Sequence, residues 1–113
     1  MKKEPRIFIA HILESISEIE GYTSGMTLAG FLKSKLVQDA SIRRLEIIGE
    51  AVKRIPSATR AEAKDIPWKQ IAGLRDILIH EYFGVDIKLV WKVIRTDLPE
   101  LKRNMSALLK VVS

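Results

Sequence analysis

Apolar residues along this chain recur at spacings of three and four, the period of an α-helix with one face buried, and no stretch alternates as a half-buried strand would. The first such pattern runs from about Pro5 to Glu20. Phe8, Ile9, Ile12, Leu13, Ile16 and Ile19 form its apolar stripe, while Glu14, Ser15 and Glu18 face away. Pro5 suits a first helical turn, and Gly21 to Gly25 reads as a stop followed by a loop. Thr27 is the expected N-cap of a short helix through Phe31 and Leu32. A long helix is then predicted from roughly Lys35 to Ile55, ended by Pro56. At about 100° per residue, Leu45, Ile48, Ala51, Val52 and Ile55 make one compact arc, and Arg43, Glu46, Glu50, Lys53 and Arg54 occupy the solvated side. Arg44 falls inside the apolar arc, either snorkelling at the core edge or serving a cleft or interface.

The second half continues in the same period. Ser57 to Asp65 reads as a short helix or turn with Ser57 as a candidate cap. Pro67 opens a helix carrying Trp68, Ile71, Leu74 and Leu78 that stops near Gly84, and Asp86 can cap the next, with Ile87, Val90, Trp91 and Ile94 inward. Asp97-Leu98-Pro99-Glu100 has the form of a capping box, Asp97 at N-cap and Glu100 at N3, before a last helix bearing Leu98, Leu101, Met105, Leu108 and Val112. The expectation is all-α: an up-and-down bundle of about four main helices plus short ones, in a single domain spanning residues 1–113.

Composition narrows the chemistry more than the fold. The absence of cysteine excludes a disulfide framework, a thiol nucleophile and thiolate metal sites, and His11 and His80 alone leave little for zinc. The net charge of +5 is spread over both halves and permits a polyanionic partner without demanding one. The longest stretch without a charge, Gly21–Leu32, reaches about half a bilayer span, and the N-terminus lacks the apolar core of a signal peptide. No membrane association and a cytoplasmic location are therefore expected. Gly21 to Gly25 lacks the Lys-Ser/Thr ending of a phosphate-cradling loop. Trp68 and Trp91 sit at apolar helical positions. His11 lies on a polar face, and Lys33, Lys35, Lys88, Lys92 and Arg95 are either solubilising charges or a route for RNA.

One segment differs in kind. Leu74 to Gly84 packs Arg75, Asp76, His80, Glu81 and Tyr82 between apolar anchors. Histidine can give or take a proton near neutrality, and arginine is a fixed forked cation suited to phosphate oxygens. Tyrosine adds a hydroxyl and a stacking ring, and Asp76 could hold the guanidinium or the imidazole. Such a set could bind a phosphodiester and move protons around it. On a straight helix Arg75 and Tyr82 share a face, whereas His80 lies about 140° from Arg75. Convergence therefore needs a distorted helix or a second copy of the chain.

The spacing Arg75-x4-His80-x-Tyr82 is similar to the R-x4-H-x-Y signature of HEPN domains, in particular the HepT-like group. Asp76 fits that group's polar residue after the arginine. The resemblance extends in order through Asp39 to Val52, Ile66-Pro67-Trp68, Ile71 to Leu74, Phe83 to Asp86, Val90-Trp91 and Asp97 to Glu100. It implies a helical HEPN fold and a ribonuclease toxin of a toxin–antitoxin pair, acting without metal or cofactor as a homodimer whose motifs face each other across a cleft. It further implies His80 as acid/base, Arg75 steadying the phosphate, Asp76 orienting one of them, and Tyr82 as the acceptor of AMP from a nucleotidyltransferase antitoxin. A rival from another class is a non-catalytic helical adaptor that binds a nucleotide or a nucleotidyltransferase through the same Arg75 and Tyr82.

Overall fold

A computed structural model describes residues 4–74, 76 and 86–112. The described residues form an all-α bundle, as the periodicity predicts, with no strand among them. In chain order the helices are α1 (Pro5–Thr23), α2 (Leu28–Lys33), α3 (Lys35–Arg54), α4 (Ser57–Ala61), α5 (Trp68–Ala72), α6 (Ile87–Lys92) and α7 (Leu98–Val112). A π-helical turn, Val93–Asp97, joins α6 to α7.

Helix α1 packs against α3 and α7, and these three define the core. Ile9, Ile12, Ile16 and Ile19 of α1 are wholly buried, each worth roughly 1.5–3 kcal/mol of removal from water. They meet Leu45, Ile48 and Val52 of α3 and Met105 of α7 in one continuous cluster. Arg44, within the apolar arc of α3, is half-buried, as a snorkelling side chain would be; Glu46 is half-buried too.

Three details depart from the sequence-based expectations. Helix α1 runs through Gly21 to Thr23, whose hydroxyl donates to the Ile19 carbonyl at 2.9 Å, and the reversal falls at Gly25, with φ +73°. A glycine inside a helix costs only about 1 kcal/mol, so the positive φ, not the first glycine, sets the stop. Ser15, expected on the polar face, is buried: it lies three residues after Ile12 and four before Ile19, on the core side of the stripe. Ser57 does not cap α4. Pro56 occupies the N-cap position and Ser57 is the first helical residue. By contrast, Thr27 caps α2 through Gly30 N at 3.1 Å, and Asp86 caps α6 through Leu89 N at 3.1 Å, both as expected.

The largest correction concerns Asp97. It is not an N-cap, and no capping box interrupts the chain there, because α6, the π turn and α7 form one continuous helix. Pro99 has no N–H to give and its ring crowds the carbonyl four residues back. The ladder widens just ahead of it, with the Leu98 amide donating to the Val93 carbonyl, five residues away. A break written in the sequence becomes a wide turn in the structure.

Candidate functional site

Of the four motif residues, Asp76 lies within the described residues. It is helical and exposed. Arg75, His80 and Tyr82 lie outside them, as do the predicted helix stop at Gly84 and the rest of the segment from Ile77 to Val85.

The elements that flank the motif in the sequence are fixed by specific contacts. Upstream, the indole N–H of Trp68 donates to the carbonyls of Arg60 (3.1 Å) and Ala63 (3.0 Å), tying the start of α5 to the turn after α4. Ile71 is buried, and Leu74 packs against the core one residue before Arg75. Gly49 lets α3 approach the end of α5 closely: a Cβ there would stand 3.4 Å from the carbonyl oxygens of Ile71 and Ala72. Downstream, the Asp86 carboxylate fixes the first turn of α6. In the sequence, the motif segment is thus flanked by a helix packed closely on α3 and by a capped helix start.

Two concavities flank the π turn. One, of about 310 Å³, has Ile71, Leu74, Val93 and Leu101 among its walls, with the exposed acids Asp97 and Glu100 beside them. The other, of about 340 Å³, lies between the end of α1 and the π turn, where Ser24, Ile94, Arg95 and Pro99 line it. Glu20 on its wall is engaged by Lys102 at 2.9 Å.

Acids and cations therefore lie on different sides of this stretch of helix. Lys88, Lys92 and Arg95 are exposed, and among the described residues none of them meets a carboxylate. The Arg95 guanidinium lies over the Trp91 ring at 5.4 Å from its centroid, and that ring packs on the fully buried Phe31 of α2 at 5.0 Å. Both tryptophans are half-buried against the core, as their positions predict, and His11 is exposed. The Trp91–Arg95 contact was legible only as an i, i+4 spacing; nothing in the sequence singles it out from other such pairs. Among the described residues no cluster of three His, Asp or Glu side chains could hold a metal ion, and no helix is long and apolar enough to cross a membrane.

Residues 12–108 match the family model described as ribonuclease HepT-like. A protein of Thermococcus cleftensis, provisionally named ribonuclease HepT, is 43% identical over 110 residues, covering 97% of this chain and 100% of its own length. One of Caldanaerobacter subterraneus subsp. tengcongensis, provisionally named an RNase, is 41% identical across 96% of both chains. A third, from Methanocaldococcus jannaschii, is named as a gamma-glutamylcyclotransferase and, provisionally, an RNase. It is 51% identical over 105 residues, and the match spans 93% of this chain but 47% of that protein. No solved structure gives a significant match. With a family model matched over most of its length and near-full-length relatives above 40% identity, the chain belongs to the ribonuclease HepT-like family.

Proposed function

We propose that this protein is a ribonuclease that cleaves RNA without a metal ion and serves as the toxin of a toxin–antitoxin pair in the cytoplasm. The observation that carries the reading is the complete Arg75-x4-His80-x-Tyr82 set, with Asp76, in a chain of the ribonuclease HepT-like family. RNA supplies its own nucleophile. The 2′-hydroxyl attacks the adjacent phosphorus, the bond to the 5′-oxygen breaks, and the products are a cyclic phosphate and a free 5′-hydroxyl.

Two proton transfers and one build-up of charge need help. His80 is the group suited to the protons at neutral pH, and Arg75 balances the extra negative charge on the phosphorus oxygens in the transition state. Two routes overcome the roughly 140° between Arg75 and His80 on a straight helix, a distorted helix or a second copy; the HepT-like resemblance implies the second, a homodimer in which His80 of the partner subunit completes each site. Asp76, exposed on its helix, is free to orient either group. Tyr82 is the site to which a partner nucleotidyltransferase transfers AMP from ATP: the tyrosyl oxygen attacks the α-phosphorus, pyrophosphate leaves, and the added bulky anion opposes binding of the RNA phosphate.

Purified protein incubated with RNA in EDTA should cleave it, and His80→Ala should abolish cleavage while leaving helicity intact. Cleavage that survives His80→Ala refutes the acid/base assignment. Co-expression with a neighbouring nucleotidyltransferase should add the mass of AMP, and Tyr82→Phe should remove that addition. A strictly monomeric active enzyme in sedimentation would rule out the shared site.

A further inference from the structure

We infer that the outer face of α6 and the π turn, Lys88, Lys92 and Arg95, is a docking track for the sugar-phosphate backbone of single-stranded RNA, separate from the motif that cuts it. The inference rests on the ribonuclease reading for the identity of the polyanion, and on the following features for its place.

The three cations stand at i, i+4 and i+7, one above another on a single face, about 6 Å and about 5 Å apart along the axis. Like charges at these spacings destabilise a helix, and among the described residues no carboxylate relieves them. Elsewhere on the surface Lys35, Lys53 and Lys102 are each paired with an acid, and Arg54, Lys64 and Lys110, exposed with no ion pair among the described residues, sit apart on different helices or turns and form no such row. The acids of the same helical stretch are otherwise placed: Asp86 caps Leu89, and Asp97 and Glu100 border the opposite concavity. A stripe of repelling cations kept clear of acids on its own helix is arranged for an external anion.

Arg95 is also held in position. Its guanidinium lies over Trp91, whose ring is fixed by Phe31 in the core. Ordinary solubilising side chains lose conformational freedom when they bind; this one has already lost part of it. Beyond Arg95 the surface recedes into the second concavity, where Ser24 can donate a hydroxyl and the charge of Glu20 is balanced by Lys102. The track begins two residues after Asp86, the cap that follows the motif segment in the sequence.

Single-strand binding supplies the expected size. Each phosphate contact contributes about 0.7 to the slope of log K against log salt, so loss of three lowers the slope by about two and the affinity by about 100-fold near 0.1 M salt. The measurement is fluorescence polarisation of labelled oligouridylate, with His80→Ala as the uncut parent. Lys88→Gln/Lys92→Gln/Arg95→Gln should show that loss. Arg54→Gln/Lys64→Gln/Lys110→Gln, an equal charge change at exposed residues elsewhere, should bind like the parent.

Arg95→Lys, which keeps the charge and gives up the stacked guanidinium, should weaken binding several-fold without disturbing the fold. Track and control variants that lose affinity equally, or a track variant that binds like its parent, overturn the proposal. So does a parent with no affinity for RNA, or a track variant that loses only a nucleotidyltransferase partner. If the track is required for binding but the wild-type protein never cuts, the docking face stands and the ribonuclease reading falls. If the protein cuts RNA and the track variant binds like the parent, the reverse holds.

Discussion

Gln38 ties the end of α2 to α3 with its side chain. It is 8% exposed, and its amide donates to two carbonyls at the end of α2, Phe31 O at 2.9 Å and Leu32 O at 3.1 Å. Helix ends leave such carbonyls without partners, and here a side chain from the next helix supplies them. In Gln38→Leu, the Phe31 carbonyl keeps the Ser34 amide at 3.2 Å, while Leu32 O loses its amide donor. Two net hydrogen bonds at about 0.5–1.5 kcal/mol each, partly offset by the more apolar side chain, give a loss of about 1–2 kcal/mol. For a domain of this size that is roughly 4–8 °C in Tm by calorimetry.

Gln38→Glu is the sharper test, because it replaces a donor with an acceptor facing two acceptors. At pH 7 it should cost a few kcal/mol more than Gln38→Leu. The introduced carboxyl group should have its folded pKa raised above the ordinary value of about 4.3, so protonation favours the folded state. That contribution is complete below the unfolded pKa and lost as pH rises through the folded one, so the gap to Gln38→Leu should narrow on acidification. A Gln38→Glu protein as stable as Gln38→Leu at pH 7 would show that Gln38 does not serve these carbonyls.

Other outcomes follow from single contacts. Phe31→Ala removes a fully buried ring and should cost about 3–5 kcal/mol by denaturant titration, with a change in tryptophan fluorescence as Trp91 loses its support. Gly25→Ala places a β-carbon at φ +73° and should cost about 1 kcal/mol in the same assay, since the left-handed penalty exceeds the gain from a stiffer unfolded chain. Lys102→Ala breaks a half-exposed pair with Glu20 and should cost under about 1 kcal/mol, an effect that fades as salt is added.

How much of this could be read beforehand differs by element. The arcs of α1, α3 and α7 were legible because one face of each meets the core, so period and burial agree at Ile9, Leu45 or Leu101. Thr27 and Asp86 were legible as caps because the cap and its helix are local in sequence. Asp97 misled because a capping box and a proline inside a continuous helix share the same letters, and only the packing of α7 on α1 decides between them. Gln38 gave no signal, since its partners lie six and seven residues away across a helix break. For the candidate site, the motif was plain as a string of residue types. The part of its setting that needed three dimensions was the segregation of acids from cations about the π turn.

That turn has a consequence for how the helix keeps count. A π turn spends one more residue than an α turn over the same arc, so Val93–Asp97 holds a spare residue. A single deletion within α3 would swing everything beyond it by about 100° and take half the core face into water. Removing exposed Thr96 should instead let the ladder close to α geometry while Met105 and Leu108 stay turned toward α1, at a cost set mainly by Pro99. The joint is a place where the chain can change length by one and the bundle keep its register.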